Sequence, residues 1–440
     1  MSENYSEAMP QGMMAAGVRG GAQTRVIIAG GVGSLVEFYD FGIYGYLAIT
    51  TASLFFPKSS SSAALLASLG VFATAFLVRP IGSILFGHFG DRVGRKSALA
   101  FSVILMALAT FAVGLLPTAD SVGTLAPLLL VAARLAQGLS AGGEAGGAAT
   151  MLGEASFDHK RGFMCSTTQL GGLVGLLLAS GVVAILNLAL SHDDIVAWGW
   201  RIPFLLALPT GLIGWYIRSQ VEETQAFSRV VQAGQVASIP IVAALRTSFL
   251  PIVQAVGICV MDFVGYYLVF VYLGIYMQTE AHLSRTVAIW STTATLLVAV
   301  VTLPFFGILS DKVGRRPVVI GSSLAFLVLT LPMFGLINSG SISLAVMAQM
   351  ILGLCVAGIM GVLWAAIVEL FPTAVRYSGM GFAFALTAAT VGGTTPYIAA
   401  WLTHVTGDSR APAFYLMASA VVTLITALTL RENAGKRLQG

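Results

Sequence analysis

The sequence has very little charge. Only 10% of its 440 residues are charged, whereas 57% are hydrophobic and the mean hydropathy is +0.88. No charged residue occurs in the 52 positions from Pro317 to Val368. A soluble globular domain carries about a quarter charged residues, so the composition excludes that class and indicates a protein of the lipid bilayer. The net charge is +4, but the basic residues occur singly or in short clusters, as expected for loops at a membrane surface. We therefore expect no nucleic-acid partner.

Cysteine is also scarce. Cys165, Cys259 and Cys355 lie in or beside apolar stretches, so no disulfide framework is predicted. The sequence lacks a P-loop, a metal-ligand cluster and a nucleophile–base arrangement, which argues against ATP as the energy source and against an enzyme. We therefore expect neither a cofactor nor a metal. The first 25 residues have no apolar core before a cleavage site and predict a disordered tail instead of a signal peptide.

The apolar residues form twelve stretches of a length suited to a hydrocarbon core of about 30 Å. Because every backbone polar group must be paired within lipid, these stretches are predicted to be helices. Their approximate bounds are 26–52, 63–88, 97–117, 123–150, 164–190, 201–217, 247–277, 285–309, 316–337, 343–368, 377–403 and 411–430.

One long hydrophilic segment lies at the middle of the chain and divides the twelve stretches six and six. We predict an all-α membrane protein of two six-helix bundles related by internal duplication. Its predicted parts are a disordered cytoplasmic tail (1–25), the first bundle (26–217), a cytoplasmic central loop (218–246), the second bundle (247–430) and a short cytoplasmic tail (431–440).

The distribution of Lys and Arg predicts the orientation. With both termini cytoplasmic, 17 of the 23 Lys and Arg residues lie on the cytoplasmic side and 4 on the outer side. This asymmetry satisfies the positive-inside rule. We expect a multi-pass protein of the cytoplasmic (inner) membrane with both termini inside.

The two halves also repeat in sequence. The pattern Gly-x3-Asp-Arg/Lys-x-Gly-Arg-Lys/Arg occurs at 87–96 and again, 220 residues later, at 307–316. The pattern Glu-x6-Arg occurs at 154–161 and again, 215 residues later, at 369–376. Such a duplication predicts a substrate site near the midplane, where the two bundles meet.

The doubled loop resembles the signature of the major facilitator superfamily. Two further segments, near 222–224 and 371–373, most resemble its proline/betaine transporters. The resemblance covers nearly the whole chain and implies the major facilitator fold, alternating access and a functional monomer. Four more segments resemble the metabolite:proton symporter family: Glu-Phe-Tyr-Asp-Phe at 37–41, Arg-Pro-Ile-Gly at 79–82, Arg-x2-Gln-Gly-x3-Gly-Gly-Glu at 134–144 and Trp-Gly-Trp-Arg-Ile-Pro-Phe at 198–204.

The resemblance also implies a function. We expect a proton-coupled symporter that imports a small carboxylate-bearing metabolite, an organic acid, and is driven by the proton gradient. The alternative is a proton-coupled importer of a zwitterionic osmolyte or amino acid of the proline/betaine type. An efflux antiporter is disfavoured, because Ile185 and Leu186 stand where the Gly-Pro of the antiporter motif belongs. The expected partners are the substrate, protons and the lipid bilayer.

Acids inside the spans are the candidates for proton coupling, because ionisable groups in a bilayer are costly and usually functional. Glu37 and Asp40 share one helix face at i, i+3. Two carboxylates in a low dielectric cannot both stay charged cheaply, so one is expected to hold a proton. The alternative is a structural ion pair with Arg79 or Arg134. Asp262 is the third candidate: it neutralises a substrate ammonium, serves as a second proton site, or is a hydrogen-bonded acid near a helix end.

Arginines and aromatic residues are the candidates for substrate binding. Arg134 keeps its proton, so it is expected to bind a substrate carboxylate or to tune a neighbouring acid. The alternative is a bridge to Glu144 or Glu37 that only holds helices in register. For Arg79, the resemblance implies a coupling or anion-holding role, with packing as the alternative. Aromatic faces attract cations, and four aromatic residues complete the predicted site: Tyr39, Tyr266, Tyr267 and Trp364.

The repeated loops predict a conformational latch. Asp91 and Asp311 lie beside cationic clusters at helix ends, where a carboxylate can join neighbouring helices in one state. Breaking such contacts allows one half to rock against the other. The predicted latch comprises the acidic and basic residues of both repeats: Asp91, Arg92, Arg95, Glu154, Arg161, Asp311, Arg315, Glu369 and Arg376.

Overall fold

A computed structural model describes residues 31–57, 60–83, 85–86, 95–142, 152–153, 156–219 and 245–438. All regular secondary structure in these ranges is helical. The predicted tail (1–25) and residues 220–244 of the predicted central loop lie outside them. The boundaries assigned to those two parts therefore stay predictions.

The first half of the chain contains six helical segments. Helix α1 covers 31–55 and is interrupted by a turn at Leu47, after which it continues as Ala48–Phe55. The other five are α2 (Ser61–Ser83), α3 (Arg95–Leu115), α4 (Leu125–Ala141), α5 (Arg161–Ala189) and α6 (His192–Ile217).

The second half also contains six segments. They are α7 (Phe249–Thr279), α8 (Arg285–Val313), α9 (Arg315–Ile337), α10 (Ile342–Val368), α11 (373–406) and α12 (Ala411–Thr429). Two of them include a π-helical segment, Leu268–Tyr272 in α7 and Ala388–Gly392 in α11. Eight of the twelve segments, namely α2, α5–α10 and α12, are long and apolar enough to cross a membrane. Within the described ranges, twelve helical segments in two sets of six agree with the predicted architecture.

Helix α6 begins nine residues earlier than the sequence predicts. The prediction placed its start at Arg201, where the apolar stretch was taken to begin. In the structure Ser191 Oγ accepts a hydrogen bond from the N–H of Asp194 at 3.1 Å, which caps the helix. Acids in a first turn are favourable there because they face the positive end of the helix dipole.

Close backbone contact between α2 and α4 brings the buried arginines together. A Cβ on Gly138 would lie 1.9 Å from the carbonyl oxygen of Ala75, and one on Gly82 would lie 2.0 Å from that of Leu139. Only glycine permits this approach, as in other close helix pairs within membranes. The contact places Arg79 of α2 and Arg134 of α4, both buried, beside the same region of α1.

The two halves meet along α5 and α8. A Cβ on Gly162 of α5 would lie 2.5 Å from the carbonyl oxygen of Gly307 of α8, so these helices cross closely near one end of the bundle. Further along, the hydroxyls of Ser180 and Thr293 lie 2.6 Å apart. At the opposite end Arg285 Nη2 donates to Thr50 Oγ1 at 3.3 Å. The halves are therefore in contact at both ends, and the charged residues between them are buried.

Candidate substrate site and latch

An ion pair between α1 and α2 forms one side of the central site. Arg79 Nη2 lies 2.9 Å from Glu37 Oε1, and both side chains are buried. The guanidinium of Arg79 also lies over two aromatic rings, 4.5 Å from the ring centroid of Phe41 and 4.2 Å from that of Phe76. Cation–π contacts of this kind are strongest where the cation is desolvated. Glu37 therefore has a partner of opposite charge.

Asp40 differs from Glu37 in its surroundings. It is 1% exposed, and neither carboxylate oxygen accepts a hydrogen bond from the described residues. Its polar neighbours are the hydroxyl of Thr110 and the guanidinium of Arg134. Since a buried carboxylate is costly when charged and unpaired, Asp40 is better placed than Glu37 to exist in a protonated form. The proton role predicted for the two acids stays a prediction.

Arg134 is enclosed mainly by aromatic rings, with the carboxylate of Asp40 nearby but outside contact distance. Its Nη1 donates to Gln137 Oε1 at 2.7 Å and its Nη2 to the carbonyl oxygen of Phe72 at 3.4 Å. The guanidinium lies 4.5 Å from the ring centroid of Tyr44 and 5.0 Å from that of Phe41. None of the described acids forms an ion pair with it at contact distance, and its Nε lacks a hydrogen-bond partner there.

The second half contributes Asp262 and two tyrosines from α7. Asp262 is 3% exposed and lies beside Gln169 of α5, across the interface. Its Oδ1 and the hydroxyls of Tyr266 and Tyr267 are buried and make no hydrogen bond within the described part of the chain. Tyr266 packs edge-to-face on Phe38 of the first half, with 5.3 Å between ring centroids. Three polar groups without a hydrogen-bond partner in the described residues thus lie close to aromatic rings between the halves.

Two of the predicted aromatic residues lie at different distances from this centre. Trp364 is buried and packs on Phe384, whose ring centroid lies 4.8 Å away and which also packs on Phe263. Phe263 stacks in turn on Tyr267, so Trp364 is connected to the central tyrosines through two rings. The hydroxyl of Tyr39 donates to the carbonyl oxygen of Pro203 in α6 at 3.1 Å. This contact favours a packing role for Tyr39 over contact with a substrate.

The charges of the site do not cancel. Glu37, Asp40 and Asp262 supply three carboxylates, whereas Arg79 and Arg134 supply two guanidiniums, and all five are at most 3% exposed. Tyr267 lies close to both arginines, to Glu37 and to Asp262, which places these groups around one centre. With all five of these groups ionised, the described part of the site carries one net negative charge. A bound cation or one proton would neutralise it.

A second cluster of charges closes one end of the bundle. Glu369 Oε1 accepts hydrogen bonds from Arg161 Nη1 at 2.9 Å and from Arg315 Nη2 at 3.1 Å. Asp311 pairs with Arg315 at 2.8 Å. The carboxylate of Asp311 also accepts the backbone N–H groups of Gly162 and Phe163, at 2.7 and 2.9 Å. We call these four charged residues (Arg161, Asp311, Arg315 and Glu369) the latch cluster, because they join α5 of the first half to the second half.

Comparison with known proteins identifies the family. Residues 26–235 match the family described as Sugar (and other) transporter, and residues 255–439 match the Major Facilitator Superfamily. The glycine betaine/proline/ectoine/pipecolic acid transporter OusA of Dickeya dadantii is 37% identical over 96% of this chain and 85% of its own length. The chain belongs to the major facilitator superfamily.

Other relatives of this facilitator agree with that assignment. The proline/betaine transporter of Escherichia coli is 37% identical over 96% of this chain and 86% of its own length. Among solved structures, the partially occluded inward-open xylose transporter XylE of E. coli superimposes with a TM-score of 0.74 at 20% identity, covering 95% of this chain and 100% of that one. That likeness shows the fold. The predicted fold class and the predicted superfamily are both confirmed.

The remaining predicted latch residues of this facilitator have different positions. Arg376 is buried, and its Nε donates to the carbonyl oxygens of Val368 and Phe371, at 3.2 and 3.1 Å, within its own half. Asp91, Arg92 and Glu154 lie outside the described residues, and of Arg95 only the backbone is described, as the first residue of α3. Their predicted roles stay predictions.

Two functional candidates were not predicted from the sequence. Glu432 follows α12, and its two carboxylate oxygens accept the N–H groups of Arg315 and Arg316 at 3.0 Å each. The carbonyl oxygen of Lys436 accepts a hydrogen bond from Arg161 Nη1 at 3.3 Å, so the C-terminal segment contacts the latch cluster. Gln349 of α10 is the second candidate. The 215-residue repeat identifies it as the counterpart of Arg134.

Proposed function

We propose that this facilitator imports a zwitterionic osmolyte or amino acid of the proline/betaine type, together with protons, across the cytoplasmic membrane. The main support for this proposal is Asp262, a buried acid close to two tyrosines, whose Oδ1 has no hydrogen-bond partner among the described residues. The names of the two relatives above point to the same substrates. Both lines of support favour the zwitterion over the organic acid that the sequence analysis put first.

The cationic end of the substrate is assigned to Asp262 and the rings near it. A quaternary ammonium is bound by the face of an aromatic ring and by a negative charge nearby. Tyr266 and Tyr267 follow Asp262 by four and five residues on α7, and Tyr267 also lies close to Arg134. A small zwitterion between the halves is therefore assigned with its cation toward Asp262. Its carboxylate is assigned to Arg134, which forms planar, paired hydrogen bonds to such groups.

The charge balance supports coupling to protons. A zwitterion adds no net charge, so the excess negative charge of the site persists when the substrate binds. One proton neutralises it, and we assign that proton to Asp40, because Glu37 is already paired with Arg79 at 2.9 Å. A buried charge is costly in a bilayer, so the loaded and protonated carrier crosses between its states more easily than the carrier with substrate alone.

The latch cluster is assigned to the cytoplasmic end of a carrier that works as a monomer by alternating access. In this arrangement its ion pairs close the cytoplasmic side, and the contact between Arg285 and Thr50 closes the outer side. The structure would then be an occluded intermediate. The proton gradient supplies the energy, and no cofactor takes part.

Transport by purified protein in proteoliposomes tests this proposal. Radiolabelled proline and glycine betaine should accumulate when the lumen is made alkaline, and a protonophore should collapse the accumulated pool. Succinate should neither accumulate nor compete. Accumulation of succinate without either zwitterion would reinstate the organic-acid function, and zwitterion uptake that ignores the pH gradient would remove the proton from the proposal.

A further inference from the structure

The internal repeat extends to the first helix of each half. Residues 37–41 read Glu-Phe-Tyr-Asp-Phe, and residues 262–266, 225 positions later, read Asp-Phe-Val-Gly-Tyr. Both segments contain an acid, a phenylalanine directly after it, and an aromatic residue four positions after the acid. Since helical residues at i and i+4 share a face, each half presents an acid and a ring side by side.

Hydrogen bonds around the counterpart of Arg134 support the same alignment. At the 215-residue offset of the fourth and tenth helices, Arg134 corresponds to Gln349. Arg134 donates to the carbonyl oxygen of Phe72 at 3.4 Å. Gln349 Nε2 donates at 3.1 Å to Thr292 Oγ1, and Thr292 lies 220 positions after Phe72. The two halves therefore use equivalent positions of α2 and α8 for this contact.

Arg134 and Gln349 each also contact the first helix of their own half, and these two contacts lie 225 positions apart in the sequence. Arg134 lies over the ring of Tyr44, 4.5 Å from its centroid. Gln349 Nε2 donates to the carbonyl oxygen of Val269 at 3.0 Å, and Val269 lies 225 positions after Tyr44. Sequence and geometry thus agree on which residues of α1 and α7 are equivalent.

This alignment explains why Asp262 lacks an ion-pair partner among the described residues. Asp262 is the counterpart of Glu37. The partner of Glu37 is Arg79, whose counterpart 220 positions later is Ala299 of α8, a fully buried residue without charge. The first half therefore has an acid and its cation, whereas the second half has kept the acid and lacks the cation.

We propose that the cationic group of the substrate binds between Asp262 and the ring of Tyr266, in the place that corresponds to the Arg79 guanidinium. In the first half that guanidinium lies 2.9 Å from Glu37 and 4.5 Å from the ring centroid of Phe41, and Tyr266 is the counterpart of Phe41. Ala299 is then a specificity-determining residue, because its methyl group leaves this place to the substrate. The inference rests on the proposed function and specifies where that function recognises its cation.

The test supplies the missing cation from the protein itself. Ala299→Arg and the uncharged control Ala299→Met are each made with and without Asp262→Asn. The first readout is the unfolding temperature of the purified protein without substrate, analysed as a double-mutant cycle. The second readout is glycine betaine binding by titration calorimetry. Should Ala299→Arg fail to fold, Ala299→Lys enters the same cycle.

We expect Ala299→Arg to stabilise the protein more when Asp262 is present than when it is Asn, and Ala299→Met to show no such coupling. Glycine betaine binding to Ala299→Arg should fall by about 100-fold or more, the scale for losing a buried charge partner. Equal effects of the arginine in both backgrounds would overturn the inference, as would binding equal to that of the parent. If the coupling appears but the parent binds neither proline nor glycine betaine, the equivalence of the two acids stands and the proposed substrate class is overturned.

Discussion

Neutralising Glu369 offers the most direct measurement of the latch cluster. Its carboxylate accepts hydrogen bonds from Arg161 and Arg315, of which only the bond to Arg161 joins the two halves. In Glu369→Gln an oxygen can still accept this bond, but without its charge. Arg161 stays charged in this variant, so the bond weakens without disappearing, because only the Coulomb attraction between the two opposite charges is lost. Hydrogen bonds to charged groups contribute about 1.5–3 kcal/mol, and those between two ionised partners lie at the strong end. The closed latch should therefore lose about 1–2 kcal/mol, which raises the population open at this end by about 5- to 30-fold.

A native cysteine reports this population. Cys165 of α5 is fully buried beside Arg161, Arg315 and Glu369, so a maleimide reaches it only when α5 separates from the second half. With Cys259 and Cys355 replaced by alanine, the alkylation rate follows the open fraction when opening is fast relative to the reaction. Glu369→Gln should accelerate alkylation by the same factor as it raises that fraction.

The matched control changes a carboxylate in an exposed ion pair. Asp408 lies between α11 and α12 and contacts Arg410 at 3.3 Å, and the side chains are 40% and 63% exposed. Exposed pairs contribute about 0–1 kcal/mol, so Asp408→Asn should leave the alkylation rate unchanged. If Glu369→Gln also leaves the rate unchanged in a folded protein, Glu369 does not stabilise the closed end and the latch assignment is wrong.

Three further predictions concern the site and the C-terminal segment. Asp40→Asn should abolish accumulation against a gradient while counterflow of substrate persists in proteoliposomes; normal accumulation by both this variant and Glu37→Gln would place the proton site elsewhere. Arg134→Lys should weaken substrate binding by about tenfold or more, because lysine cannot form the planar paired bonds, and unchanged affinity by calorimetry would contradict the carboxylate assignment. Glu432→Gln should accelerate Cys165 alkylation, because its carboxylate accepts the N–H groups at the start of α9; an unchanged rate would separate this segment from the latch.

The spans could be predicted because lipid imposes a strong constraint on them. A hydrocarbon core requires long apolar helices, so composition and length place most ends within a few residues. The start of α6 was misplaced, because a serine cap and two acids read equally well as a loop and as a helix start. The sequence also could not show that the Tyr39 hydroxyl donates to a carbonyl oxygen of α6, because this contact depends on where α6 packs.

The latch shows which kind of information a repeat contains. The 215-residue offset identifies Arg161 and Arg376 as equivalent positions, but it does not say which acid each contacts. In the structure Arg161 reaches across to Glu369 of the other half, and the Nε of Arg376 donates to two carbonyl oxygens of its own half. Pairing across the interface depends on how the two bundles meet. Glu432 lies in the segment that the sequence predicts to be a short cytoplasmic tail (431–440), and no role was predicted for it.

The π-helical segment of α7 has a consequence for how the site changes between states. A π turn holds one residue more than an α turn, and each residue of an α-helix advances by about 100° around the axis. When the extra residue moves along the helix, the residues between its old and new positions rotate by about 100° around the helix axis. The segment begins at Leu268, directly after Tyr267, so a shift toward the start of α7 turns both tyrosines and Asp262 together. We expect such a register shift inside α7, with the helix ends in place, to change which side chains of the second half face the site.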